Sequence, residues 1–147
     1  MSLLQGIKKQ FMAFRNGVVA DTLRAGGLSC YSIIFGLNLP QLKQIAEALR
    51  SEHTPEELRT LADALLADRG VRESRLLAYH LYGMLPLTDA EARQLAADVQ
   101  TREEVEILCL RVLRNHPAAP QILDNPGAST PDLQQHLQAI LTRHLNP

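Results

Sequence analysis

Two helix starts of one design stand 34 residues apart, and they leave the middle of the chain little room for anything but helices. Thr54-Pro55-Glu56-Glu57 and Thr88-Asp89-Ala90-Glu91 each put a threonine before a helix and a glutamate three residues later. In such a box the hydroxyl accepts the N–H of the third helical residue, and the carboxylate reaches back to the threonine N–H. Two otherwise unmatched donors are thereby satisfied. Behind Thr54, Leu58, Leu61, Ala62, Leu65 and Leu66 recur with helical period, and Gly70 ends the run. A partner helix is expected from about Val71 to Tyr82, with Leu77, Ala78, Leu81 and Met84 inward and with Gly83 and Pro86 closing it. Behind Thr88 come Ala92, Leu95, Ala96 and Val99. Thr101-Arg102-Glu103-Glu104 reads as a third box, opening a helix with Val105, Leu108, Cys109, Val112 and Leu113 that His116-Pro117 ends.

The flanks follow the same logic. Residues 2–24 carry Leu3, Ile7, Phe11, Phe14 and Val18 as one continuous stripe, with Asn16-Gly17 as a weak spot or break. After Gly26-Gly27, the stretch Tyr31 to Leu49 turns a corner. There Gly36 follows Ile33, Ile34 and Phe35, Asn38 caps, Pro40 occupies a first helical turn, and Leu42, Ile45, Ala46 and Leu49 share a face. Residues 117–131 are rich in proline and predict a loop with at most one turn around Gln121–Leu123. Thr130-Pro131 then starts a last helix bearing Leu133, Leu137, Ile140, Leu141 and Leu145. No segment alternates with a period of two; Ile33–Phe35 is too short to count. The expected fold is all-α, one domain over residues 1–147, built as an α-solenoid of about three HEAT-like helix pairs. The alternative is a compact six-helix bundle.

Several kinds of chemistry find no foothold. The five histidines (His53, His80, His116, His136, His144) include no i, i+4 pair with an acid between, so no metal is expected. There is no phosphate-cradling glycine loop and no nucleophile motif, so no cofactor and no catalytic residue is assigned. Cys30 and Cys109 lie among apolar neighbours and read as reduced, buried thiols of a cytoplasmic protein. No apolar run is long enough for a membrane span.

The net charge is −1, but it is unevenly spread. Residues 1–50 hold six Lys/Arg against Asp21 and Glu47, a surplus of +4. A basic end on a near-neutral chain is compatible with a local anionic partner. The densest polar group is Arg69, Arg72, Glu73 and Arg75. Arg72 and Glu73 are sequence neighbours and are not expected to face each other, whereas Arg69–Glu73 and Asp68–Arg72 have i, i+4 spacing. Bracing one helix pair on the next is the first reading of this group. Gripping a phosphate backbone is the second, with Lys43, Arg72 and Arg75 as nucleic-acid-binding candidates. Glu103, Glu104 and Glu106 suit a helix N-terminus and are explained by its dipole.

The segment Phe35-Gly36-Leu37-Asn38-Leu39-Pro40-Gln41-Leu42-Lys43, followed some thirty residues on by Arg72-Glu73 opening a helix, resembles the HEAT-like-repeat DNA alkylation repair proteins, the alkylpurine DNA glycosylases. In that family a glycine-hydrophobic-x-x-proline-x-x-basic stretch precedes one helix, and an Arg/Tyr-Glu pair begins a later one. The resemblance covers about residues 11–115, as a short and divergent member would show it. It implies a right-handed array of helix pairs whose concave basic face cradles duplex DNA, and excision of alkylated purines. The family's tryptophans and catalytic aspartate would fall in Gln100–Leu110, but the chain has no tryptophan and Leu108 stands about where the acid is expected. The resemblance therefore implies the fold and a DNA- or macromolecule-binding module without glycosylase activity. One alternative is a reduced but active glycosylase using Glu103 or Glu104 as its acid. Another is a protein-interaction scaffold or homodimer, with Ile107 and Leu110 on a second helix face.

Overall fold

The computed structural model describes residues 2–146, and they divide into two compact units, the first ending at Met84 and the second beginning at Leu85. The protein is all-α. In the first unit lie α1 (Leu3–Ala13), α2 (Gly17–Ala25), α3 (Leu39–Glu52), α4 (Pro55–Ala67) and α5 (Arg72–Tyr82). The second holds α6 (Asp89–Ala97), α7 (Arg102–Arg111), a 3-10 turn at Leu113–Asn115, α8 (Ala119–Asp124) and α9 (Pro131–Leu145).

The capping boxes form as expected at Thr54 and Thr88, and Asn38 makes a further one with Gln41. At Thr101 the hydroxyl accepts the Glu104 N–H, and the Glu104 carboxylate takes the N–H of Gln100. The N-terminal stripe divides at Asn16, whose side-chain oxygen accepts the N–H groups of Val18 and Val19 and starts a new helix. The break changes which residues point inward. Ile7 and Phe11 are buried, but Leu3, Phe14 and Val18 are exposed, the last at 77%. The proline-rich stretch contains the short helix α8, close to where a single turn is expected.

Within the first unit, α5 packs against both α3 and α4, and α1 packs on α4. Every residue of α5 is buried, including Arg72, Glu73, Arg75 and His80. A helix buried all round has no solvent face on which to carry charge, so its polar groups must be matched internally. The segment leading into α3 lies along the start of α5. Ile33 donates its N–H to the Gly70 carbonyl and accepts from the Arg72 N–H, making a single parallel bridge with Val71. Ala20, Tyr31 and Ile34 form a small cluster with Leu23 and Leu28 beside it.

In the second unit, α9 packs against α7 and α8, and α6 packs on α7. His116 joins two chain segments there. Its Nδ1 accepts the Ala118 N–H at 3.0 Å, so Nε2 carries the proton and donates to the Leu87 carbonyl at 2.8 Å. Arg102 and Asp132 form a two-pronged ion pair between the starts of α7 and α9.

The cysteines differ from expectation. Cys109 is buried, but Cys30 is exposed, because the loop after α2 runs over the surface. Burial, with a smaller contribution from the Glu106 charge, pushes the Cys109 thiol up to about 12. A raised folded-state value keeps the thiol protonated. Its stabilisation is complete below the unfolded-state value of about 8.5 and is lost as pH rises toward 12. Two results should follow. A thiol reagent at pH 8 should modify Cys30 in the folded protein and reach Cys109 only after denaturation. The urea midpoint should fall between about pH 9 and pH 11, and less so in Cys109→Ala.

Candidate functional site

The polar groups of α5 converge on one loop. The Glu73 carboxylate is fully buried and accepts three consecutive backbone N–H groups, those of Phe35 at 2.9 Å, Gly36 at 3.0 Å and Leu37 at 3.3 Å. The Arg72 guanidinium donates to the same carboxylate at 2.6 Å and to the Leu37 carbonyl at 3.0 Å. Successive N–H groups turned toward one point make an anion-binding concavity, and here the anion is the protein's own side chain. Sequence neighbours on a helix do not normally meet. Arg72 and Glu73 do, because both lie in the first turn of α5 and both reach out to the same loop. The expectation that they could not face each other is corrected by this geometry.

Gly36 is the pivot of that loop. Its φ is +89°, in the left-handed region, and a Cβ built there would lie 2.2 Å from the Asn16 carbonyl oxygen. Asn16 in turn donates its N–H to the Phe35 carbonyl at 2.8 Å. The loop is held from the α2 side by Asn16 and from the α5 side by Glu73.

Further along α5, Arg75 is fully buried. It donates to the Leu66 carbonyl at 2.9 Å and to the Tyr79 hydroxyl at 3.2 Å, with its guanidinium 5.9 Å from the Tyr79 ring centroid. Asp68, expected to face Arg72, instead meets Lys8 at 3.0 Å and the Ser74 hydroxyl at 2.7 Å, which ties α1 to the start of α5. Tyr82 donates to Asp63 at 2.5 Å, and burial, then that carboxylate, raise its phenol well above the usual range.

The sequence-predicted site residues thus part company. Arg72 and Arg75 share α5 but lie inside the protein, their guanidinium groups committed to Glu73, Leu37, Leu66 and Tyr79, whereas Lys43 is exposed on α3. The three do not form a common exposed surface, because α5 has none. The contacts of Arg72 and Arg75 tie α5 to the Gly36 loop and to the end of α4. In the second unit, Glu104 is fully buried with its carboxylate on the Gln100 N–H, Glu103 is half-buried, and Leu108 is a core residue at zero exposure. Ile107 is also buried, so it is not part of an exposed second face on α7.

Among the described residues, no group of three histidine, cysteine or acidic side chains is placed to hold a metal ion. Among the same residues, no helix is long and apolar enough to cross a membrane. Of the grooves on the first unit, two border α1. The larger, about 470 Å³, runs between α1 and α4 and is lined chiefly by Leu3, Leu4, Leu61 and Ala64. The smaller, about 180 Å³, lies between α1 and α3.

The residues that make up the Gly36 loop and its anchor on α5 lie within a single family match. The model of the DNA alkylation repair enzyme family fits residues 31–125, well over half of the chain. The chain belongs to the DNA alkylation repair enzyme family. The matched span takes in Tyr31 to Leu37, all of α3 to α8, and therefore both halves of the Glu73 latch; α1, α2 and α9 lie outside it. Neither the curated proteins nor the solved structures compared with the chain gave a match. In this member of the DNA alkylation repair enzyme family, the glycine of the first motif and the Arg-Glu pair of the second are two sides of one contact. Sequence reasoning found both motifs and missed that contact. The signal available was a single acid set between two arginines at the start of a helix, thirty-seven residues after Gly36.

Proposed function

We propose that this chain is a small HEAT-like-repeat member of the DNA alkylation repair family that binds DNA and does not cleave the glycosidic bond. What supports the second half is the chemistry of α7. Excision of an alkylated base needs a carboxylate at the sugar as positive charge develops there. At the position where the resemblance would put that acid the chain has Leu108, buried in the core. Glu104, the nearer alternative, already satisfies the Gln100 N–H. What supports the first half is the family together with the +4 surplus of residues 1–50. The exposed cations of residues 1–50 are Lys9, Arg15, Arg24, Lys43 and Arg50.

Fluorescence anisotropy on intact and methylated duplexes at two salt concentrations tests this reading. Binding should weaken as salt rises, with a log–log slope of about −0.9 per phosphate contacted, and Lys43→Ala should make that slope shallower by close to one. Incubation with methylated DNA should release no 3-methyladenine or 7-methylguanine above the spontaneous rate. Enzyme-dependent release that Glu103→Gln abolishes would establish the glycosylase reading instead, since Glu103 is the acid that keeps some exposure. Absence of salt-sensitive binding to any duplex would leave the protein-scaffold reading.

A further inference from the structure

We propose that the groove between α1 and α3 is a seat for one unpaired base of a single-stranded DNA segment, with Phe14 as its stacking surface. This rests on the DNA-binding reading above and names what one part of the surface would hold. The groove is lined by Gln10 and Phe14 from α1 and its C-cap, and by Gln41, Gln44, Ile45 and Ala48 from α3. Gln10 and Phe14 are four apart, and Gln41, Gln44, Ile45 and Ala48 recur at three, four and seven, so each helix presents one continuous face to the same space.

The composition of the lining selects among occupants. It contains no charged residue, so neither a free phosphate nor a carboxylate finds a counter-charge there. Three of its six side chains are amides. Those of Gln10 and Gln44 have no hydrogen-bond partner among the described residues, and Gln41 uses only its oxygen, on the Asn38 N–H. An apolar helix laid into the groove would cover those amides without matching them, at a cost for each. A nucleobase has a neutral π-face for Phe14, which is 48% exposed, and an edge of mixed donors and acceptors that amides can meet in either sense.

The rim supplies what a strand needs besides a base. Arg15 follows Phe14 in the chain and is exposed, within the fifty residues that carry the +4 surplus. A base stacked on Phe14 leaves a phosphate toward this cation. Two of the six lining residues, Gln10 and the stacking residue Phe14, lie outside the span that matches the family model. The groove is also small, which suits one planar base better than a base pair.

The test compares three fluorescein-labelled probes of equal length against the full chain: a mixed-sequence single strand, an abasic strand with the same phosphates, and a duplex. Base stacking on an aromatic side chain contributes enough that the single strand should bind about tenfold or more tightly than the abasic strand. Phe14→Ala should remove that preference and leave duplex binding unchanged, while Gln10→Ala/Gln44→Ala should reduce it by a smaller factor. All these residues are at the surface, and a circular dichroism melt matching the parent would show that the variants remain folded. A free mononucleotide should compete only at far higher concentration, because it lacks the flanking phosphates. Equal affinity for base-bearing and abasic strands, or a Phe14→Ala variant that keeps the preference, would overturn the groove proposal while leaving duplex binding standing. Failure to bind all three probes would overturn both. If Phe14→Ala instead dissociates a dimer in size-exclusion chromatography with strand affinity intact, the groove seats a second copy of the chain and the proposal is likewise overturned.

Discussion

Replacing Glu73 by alanine should cost about 3–5 kcal/mol of stability, the range for removing one partner of a buried ion pair. Two losses combine. The Arg72 guanidinium, 3% exposed, is left without the carboxylate that neutralises it, and three backbone N–H groups of the Gly36 loop lose their acceptor inside the protein. An unmatched buried donor costs on the order of 1–3 kcal/mol by itself. Urea unfolding followed by circular dichroism measures the sum. A second variant separates the two contributions. For an ordinary buried ion pair, replacing both partners with apolar residues is often neutral or stabilising. Here Arg72→Met/Glu73→Leu should remain destabilised by several kcal/mol, since the loop N–H groups have no partner whichever residue occupies position 72. A double variant as stable as the parent would mean that the loop finds water or another acceptor, and that Glu73 is merely one half of an ion pair.

How legible this was depends on which link is asked about. Helix starts were open to inspection because caps act locally. Thr54, Thr88 and Asn38 each satisfy donors within three residues, so the sequence contains the whole interaction. The interior of α5 was not legible. Its apolar positions Leu77, Ala78 and Leu81 predict one buried face, yet the helix is buried all round, and Arg72 and Glu73 reach groups 35 to 38 residues away. Nothing in a local pattern distinguishes an arginine that faces solvent from one that donates to the Leu37 carbonyl. That is why Arg72 and Arg75 stood as nucleic-acid candidates with Lys43, and why their contacts correct it. The stripe from Leu3 to Val18 failed for a related reason. The apolar period runs on through Asn16 in the sequence, but a side chain that caps Val18 and Val19 starts a fresh helix with its own phase. Phe14 was counted as core and emerged at the surface, where it lines the α1–α3 groove. Family membership was readable because its two motifs are short and both lie on the chain. Their physical connection required the fold.

The other large effect should come from Gly36. A side chain there meets two independent obstacles, and glycines elsewhere in the chain allow them to be separated. The first is conformational: at φ +89° an L-residue is strained, at about 1–3 kcal/mol. Gly27 and Gly127 share this, with φ +100° and +70°, but a Cβ at either would meet nothing within 4 Å. The second obstacle belongs to Gly36 alone, the Asn16 carbonyl oxygen 2.2 Å from the added carbon. That oxygen is backbone, and it also accepts the Ala20 N–H at 3.0 Å in the first turn of α2, so it cannot swing aside as a side chain would. Relief requires the Gly36 loop to move off Glu73 or α2 to move off the loop, and each movement breaks hydrogen bonds already counted. Gly127→Ala should therefore lower stability by about 1 kcal/mol, from strain alone. Gly36→Ala should lower it by about 3 kcal/mol or more, and Gly36→Val further, because strain and steric overlap add. Thermal melts of the three variants side by side decide the matter. A Gly36→Ala loss no larger than that of Gly127→Ala would show that the approach of Asn16 to the loop is soft, and that Glu73 alone holds the corner in place.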